Sequence, residues 1–75
     1  MYPLSLRDLP PNTEAIIIGL AGGFGIRERL VEMGFIPGTR VRVLDIFHGS
    51  IIVEVRGTRY ALSRGMAKKI LVRPV

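Results

Sequence analysis

The chain contains no cysteine in its 75 residues, and that single absence narrows its folding options most. Disulfides, thiolate zinc sites and thiol catalysis are excluded together. A domain this short buries only about 60% of the surface its unfolded form exposes, so its margin of stability is thin. Packing of aliphatic side chains must supply that margin, and isoleucine and valine are abundant while tryptophan is absent. One domain, 1–75, is expected.

The order of local signals points to a mainly β architecture. Ser5 to Asp8 allow at most one helical turn before Pro10-Pro11 stops it. Asn12 tolerates the left-handed conformation of a tight turn, and Thr13 to Leu20 then read as a strand. Ala21-Gly22-Gly23-Phe24-Gly25 breaks the pattern. A helix is predicted over Ile26 to Met33, with Ile26, Leu30 and Met33 on one face. Gly34 suits a left-handed helix end, and Pro37-Gly38 is a turn signal. Arg40 to Val43 alternate strictly, and a phase slip at Leu44 to Phe47 predicts a bulge or a strand bent between two faces. His48-Gly49-Ser50 turns the chain, Ile51 to Arg56 alternate again, and Gly57-Thr58 is read as a hairpin turn into Arg59 to Leu62. Ser63 caps a short helical turn through Lys69, and Ile70 to Arg73 form the last strand.

Five short strands with one inserted helix hide their edges most economically by curling into a small, partly open barrel. The expected fold is therefore a five-stranded SH3-like barrel with a helix after its first strand, an OB-like barrel being the alternative. Ile16, Ile17 and Ile18 are consecutive, so at least one points away from the core. Leu44, Ile46 and Ile52 are also out of phase with the inward valines. Either the helix covers these side chains or they form a surface patch.

The head of the chain, Met1 to Leu6, has no basic, apolar and small-residue succession of a leader. The longest apolar runs, Ile16 to Ile18 and Ile51 to Val53, fall far short of the ~20 residues a spanning helix needs. A soluble, cytoplasmic protein is expected. Net charge is +5, carried by nine arginines and two lysines scattered along the chain. Such a balance admits nucleic acid, an acidic protein or an anionic membrane as partner, beside plain solubility.

Chemical motifs are few. Gly23-Phe24-Gly25 is followed by Glu28 where a dinucleotide fingerprint needs glycine, and no Gly-Lys-Ser/Thr follows. Glu28 and Glu32 share a helix face, but Arg27 and Arg29 flank them and no histidine is near, so a charged surface is the better reading. His48 is the lone histidine and cannot make a zinc site by itself. No serine has a nucleophile setting. Arg59-Tyr60 is the only close basic–aromatic pair within a strand, too little for a stacking platform. No enzyme activity, cofactor or metal site is expected, and nucleic acid is not the expected partner.

Gly22-Gly23, Arg29-Leu30, Glu32-Met33-Gly34-Phe35 and Pro37-Gly38 together resemble the FeoA family. The tail agrees through Val53, Val55, Arg56-Gly57, Ala61-Leu62, Arg64, Ala67, Ile70 and Val72. Departures are Asn12 in place of a usual glycine, a shorter loop at His48-Gly49-Ser50, and Gly65-Met66 where charged or helix-favouring residues are usual. The resemblance implies an SH3-like barrel serving bacterial ferrous iron uptake through FeoB, a membrane permease with a cytosolic GTP-binding domain. It implies recruitment to the inner face of the cell membrane. The same barrel ends iron-dependent repressors of the diphtheria-toxin-repressor type, whose helix-turn-helix this chain lacks. A barrel binding RNA or another acidic partner remains the alternative, and a weak homo-oligomer stays open.

Within that reading, Gly22, Gly23, Phe24, Arg27 and Arg29 form the expected partner-facing segment. Phe24 is the apolar anchor. The two arginines diverge by about 200° around a helix, so at most one serves, and Arg27 is nearer the loop.

Overall fold

The computed structural model describes residues 3–75. Met1 and Tyr2, at the head of the segment read as lacking a leader, lie outside the described residues. Strand β1 (Leu4–Ser5) leads into a 3-10 turn (Leu6–Asp8), followed by β2 (Thr13–Leu20), α1 (Phe24–Met33), β3 (Arg40–Phe47), β4 (Ser50–Val55), β5 (Thr58–Ser63), α2 (Arg64–Ala67) and β6 (Ile70–Pro74). One antiparallel sheet runs in the order β1-β6-β2-β3-β4-β5. The mainly β, SH3-like expectation holds, with six strands rather than five. The additional strand is β1, two residues that pair with Leu71 and Val72. So short a segment has no alternation by which sequence alone could show it.

Two bulges bend the sheet. The register of β2 on β6 shifts between Ile17 and Gly19, and that of β3 on β4 between Val43 and Asp45. The second lies where the alternation slips. At the free edge, α2 packs on β4, β5 and the 3-10 turn, so short helical pieces close the space that strand pairing leaves open. Asp8 steadies that turn by accepting from the Ser5 N–H and hydroxyl, at 2.9 and 3.2 Å. The Ser63 hydroxyl caps α2 by accepting from the Met66 N–H at 3.2 Å.

Turn chemistry explains the connections. Asn12 adopts φ 67°. Pro37 and Gly38 (φ 93°) occupy the centre of a turn closed by the Thr39 N–H on the Ile36 carbonyl at 3.0 Å. His48-Gly49 and Arg56-Gly57 both have positive φ at their two central residues, the primed geometry that suits the twist of a hairpin. The second hairpin therefore turns one residue earlier than Gly57-Thr58. Arginine is an uncommon occupant of that position; in this register Val55 pairs with Thr58 and Glu54 is opposite Arg59, whereas a Gly57-Thr58 turn would set Arg56 opposite Arg59.

The core is aliphatic except for one ring. Ile17, Val41, Val43, Val53, Val55 and Val72 from the sheet meet Leu6, Leu30 and Phe35, all fully buried or nearly so. Phe35 lies 5.6 Å from the Tyr60 ring at a tilted angle. No buried side-chain polar atom is left unpaired among the described residues. Of the apolar residues that were out of phase, Ile17 is buried, Ile18 and Ile46 are exposed, and Ile16, Leu44 and Ile52 are half-buried.

Candidate functional site

Helix α1 has two working faces. Leu30 is buried, and Ile26 and Met33 pack on the core beside it. The helix ends in a Schellman arrangement: the Phe35 N–H reaches the Leu30 carbonyl at 3.0 Å and the Gly34 N–H the Val31 carbonyl at 2.9 Å. Gly34 has φ 108°, which favours glycine there. The Glu32-Met33-Gly34-Phe35 run is thus a complete stop signal, with Phe35 delivered into the core.

The second face carries Phe24, Arg27, Glu28 and Val31, at spacings of three, four and seven residues. With Leu20 from β2 and Pro37 from the turn after the helix, they line a groove beside the sheet. Its lining is mostly apolar, with one cation and one anion at adjacent positions. Phe24 is 82% exposed, the most exposed of the large apolar side chains described. Burial of such a ring against another surface is worth about 1.5–3 kcal/mol.

The helix begins at Phe24, two residues earlier than the sequence pattern indicates. Gly25 lies in its first turn, where the penalty for glycine is small because the N-terminal N–H groups lack helical partners anyway. This lengthening brings Phe24 onto the same face as Arg27. Of the other expected site residues, Gly22 has φ 98°, and a side-chain carbon on it would come 2.8 Å from Ile26 Cγ2, so packing alone demands glycine. Gly23 precedes the helix in extended conformation, open to solvent. Arg29 is exposed and does not line the groove. Of the five expected residues, Phe24 and Arg27 thus line the groove, while Gly22, Gly23 and Arg29 do not. Leu20, Glu28, Val31 and Pro37 were missed. Val31, seven residues after Phe24, was the available signal.

His48 stacks edge-on against Phe47, ring centroids 4.3 Å apart, at the tip of the β3–β4 hairpin. Among the described residues no three His, Cys, Asp or Glu side chains gather as a metal site, and no helix is long and apolar enough to cross a membrane.

Sheet order, bulges and closing helical turns define an SH3-like barrel, distinguished by an inserted helix with one face in the core and one along an open groove. The chain belongs to the FeoA domain family, whose model matches residues 4–74. It is 35% identical over 72 residues to a Methanocaldococcus jannaschii protein that carries the provisional name Fe(2+) transport protein A, covering 96% of this chain and 85% of that one. Among solved structures, an iron uptake regulatory protein, FeoA, shares 33% identity with a TM-score of 0.89 over the whole of both chains. Stenotrophomonas maltophilia FeoA, solved with zinc and described as an SH3 domain protein, shares 30% identity with a TM-score of 0.84, over 93% of this chain and 89% of that one. The fold alone is shared with IdeR from T. acidophilum, at 21% identity and a TM-score of 0.86, the match spanning 35% of that longer chain.

Proposed function

We propose that this FeoA domain is an accessory binding module of ferrous iron uptake that acts on a FeoB-type permease through its cytosolic GTP-binding portion, without catalysing a reaction itself. It works at the inner face of the membrane, held there by the permease. Family membership and the transport names of its relatives support the pathway. The observation that carries the docking site is the outward face of α1, where Phe24 stands in water although the opposite face of the same helix is core. Phe24 anchors the partner, Leu20, Val31 and Pro37 complete the apolar contact, and Arg27 meets a carboxylate or a nucleotide phosphate at the rim. An arginine does this in bidentate fashion, which a lysine does not.

The test is co-purification with detergent-solubilised FeoB, with and without guanine nucleotide. Phe24→Ala and Arg27→Ala are expected to melt within a few degrees of the parent and to lose co-purification and iron uptake together. Normal retention by both variants places the docking site elsewhere, and a parent chain that never co-purifies refutes the FeoB assignment itself. A role as a detached repressor-type domain, which the fold shared with IdeR favours, predicts binding to a DNA-binding partner chain instead.

A further inference from the structure

The outer face of the sheet carries a row of alternating charge that runs across four strands. Glu14 on β2 is directly opposite Arg42 on β3, Arg42 is opposite Glu54 on β4, and Glu54 is opposite Arg59 on β5. Arg42 thus has a glutamate on each side, yet neither glutamate pairs with it. Glu14 accepts from Arg40 at 2.9 Å, and Glu54 lies 3.8 Å from Arg59. Two carboxylates are shared among four arginines, and Arg42 and Arg56 have no ion-pair partner among the described residues. All five of Glu14, Arg40, Arg42, Glu54 and Arg56 line one shallow cavity of about 170 Å³.

Arg56 is notable for its backbone. It takes the first central position of a primed hairpin turn with φ 53°, where asparagine, aspartate or glycine is the favoured occupant. Its guanidinium makes no ion pair in return for that conformation. Its stem passes near the Gly34 helix end, where a side-chain carbon would lie 3.9 Å from Arg56 Cδ, and the residue as a whole is exposed.

We infer that this cavity is a docking site for an acidic segment of a protein partner, with carboxylates on Arg42 and Arg56. The spacing fits an extended chain. Arg56 follows Val55, the partner of Val41, so it is a diagonal cross-strand neighbour of Arg42, about 7–8 Å away. Alternate residues of an extended segment point the same way and are about 6.8 Å apart. Acidic residues at every second position therefore match the two arginines. Nucleic acid fits less well. Glu14 and Glu54 repel a continuous polyanion, and Tyr60, the only tyrosine on β5, lies against Phe35 rather than beside these arginines. The site shares no lining residue with the α1 groove, and it stands without the FeoB assignment.

The experiment is fluorescence anisotropy with a short labelled peptide bearing glutamate at alternate positions, beside its glutamine counterpart and a single-stranded RNA. The whole chain is compared with Arg42→Gln/Arg56→Asn and with Arg64→Gln, an exposed cation in α2. Asparagine suits the turn, so the double variant is expected to melt no lower than the parent. The glutamate peptide should bind, the glutamine peptide should not, and the double variant should weaken binding by about tenfold or more, as loss of two charge-assisted contacts implies. Arg64→Gln should change it by less than about twofold, as an exposed charge outside a contact does. Equal binding by the double variant overturns the proposal. So does equal loss on Arg64→Gln, or RNA binding as tight as the glutamate peptide, since either means net charge alone.

Discussion

Gly22 and Lys69 pack so closely that a side-chain carbon on Gly22 would sit 3.2 Å from Lys69 Cδ, with Ile26 Cγ2 nearer still at 2.8 Å. The loop before α1 is pinned to the loop before β6 at this point, and the Ala21 N–H reinforces it by donating to the Lys69 carbonyl at 2.8 Å. Gly22→Ala is therefore expected to cost about 1–3 kcal/mol, from positive φ and the clash together. In a domain of this size that lowers the melting temperature by several degrees, at roughly 4–8 °C per kcal/mol. Gly23→Ala, with ordinary φ and open space, should stay within about 0.5 kcal/mol. Thermal unfolding of the two variants side by side checks the contrast.

The two faces of α1 predict opposite outcomes for neighbouring residues. Leu30→Ala should destabilise by about 2–5 kcal/mol, because Leu30 is fully buried and leaves a cavity. Val31→Ala, at 43% exposure, should cost well under that and about 1 kcal/mol at most. If Val31 is part of the docking surface, its variant loses FeoB co-purification while remaining folded. Urea unfolding followed by the co-purification assay separates the two.

The Ser63 hydroxyl caps the head of α2 by accepting from the Met66 N–H. Ser63→Ala should lose about 0.5–2 kcal/mol, and Ser63→Asp, another good cap, should retain most of it. Denaturant midpoints at constant slope are the measurement.

Metal binding is the fourth prediction. A relative was solved with zinc, yet among the described residues of this chain no three metal-ligating side chains converge. An anaerobic titration with ferrous iron is expected to show no one-to-one site tighter than about 10⁻⁴ M, the range of weak carboxylate sites. A saturable site of higher affinity would overturn this expectation.

Much of the barrel was legible because its turns use residues with a single purpose. Asn12, Gly34 and Pro37-Gly38 sit where the backbone needs them, and the Val41/Val43 and Ile51/Val53/Val55 alternations name the inner face directly. The N-terminus of α1 was less legible. Gly25 reads as a break in sequence, but it occupies a first turn in which helix propensity counts for little. The groove was half visible: Phe24 and Arg27 stood out by their setting, whereas Leu20 and Pro37 reach it from β2 and a turn through tertiary packing that no local pattern encodes. The outer-face arginines were seen only as scattered charge. Their arrangement depends on strand register, and register appears only when the sheet is assembled.

That dependence also works in reverse. An antiparallel pair that slips by one residue turns its apolar side chains to water and is rejected at once, but a slip of two residues keeps every face correct. Hydrophobicity cannot detect such an even-numbered frame error. The Glu14–Arg42–Glu54–Arg59 row can: moving β4 two places along β3 sets Arg42 opposite Ile52 or Arg56, and moving β5 along β4 sets Glu54 opposite Ala61 or Gly57. Moving β5 breaks the Glu54–Arg59 ion pair, and moving β4 one way sets Arg42 opposite Arg56. The row therefore adds a bias of about 1 kcal/mol or less per exposed pair to a frame that the two tight hairpin turns already set, expressed in charge on the face where apolar packing is silent.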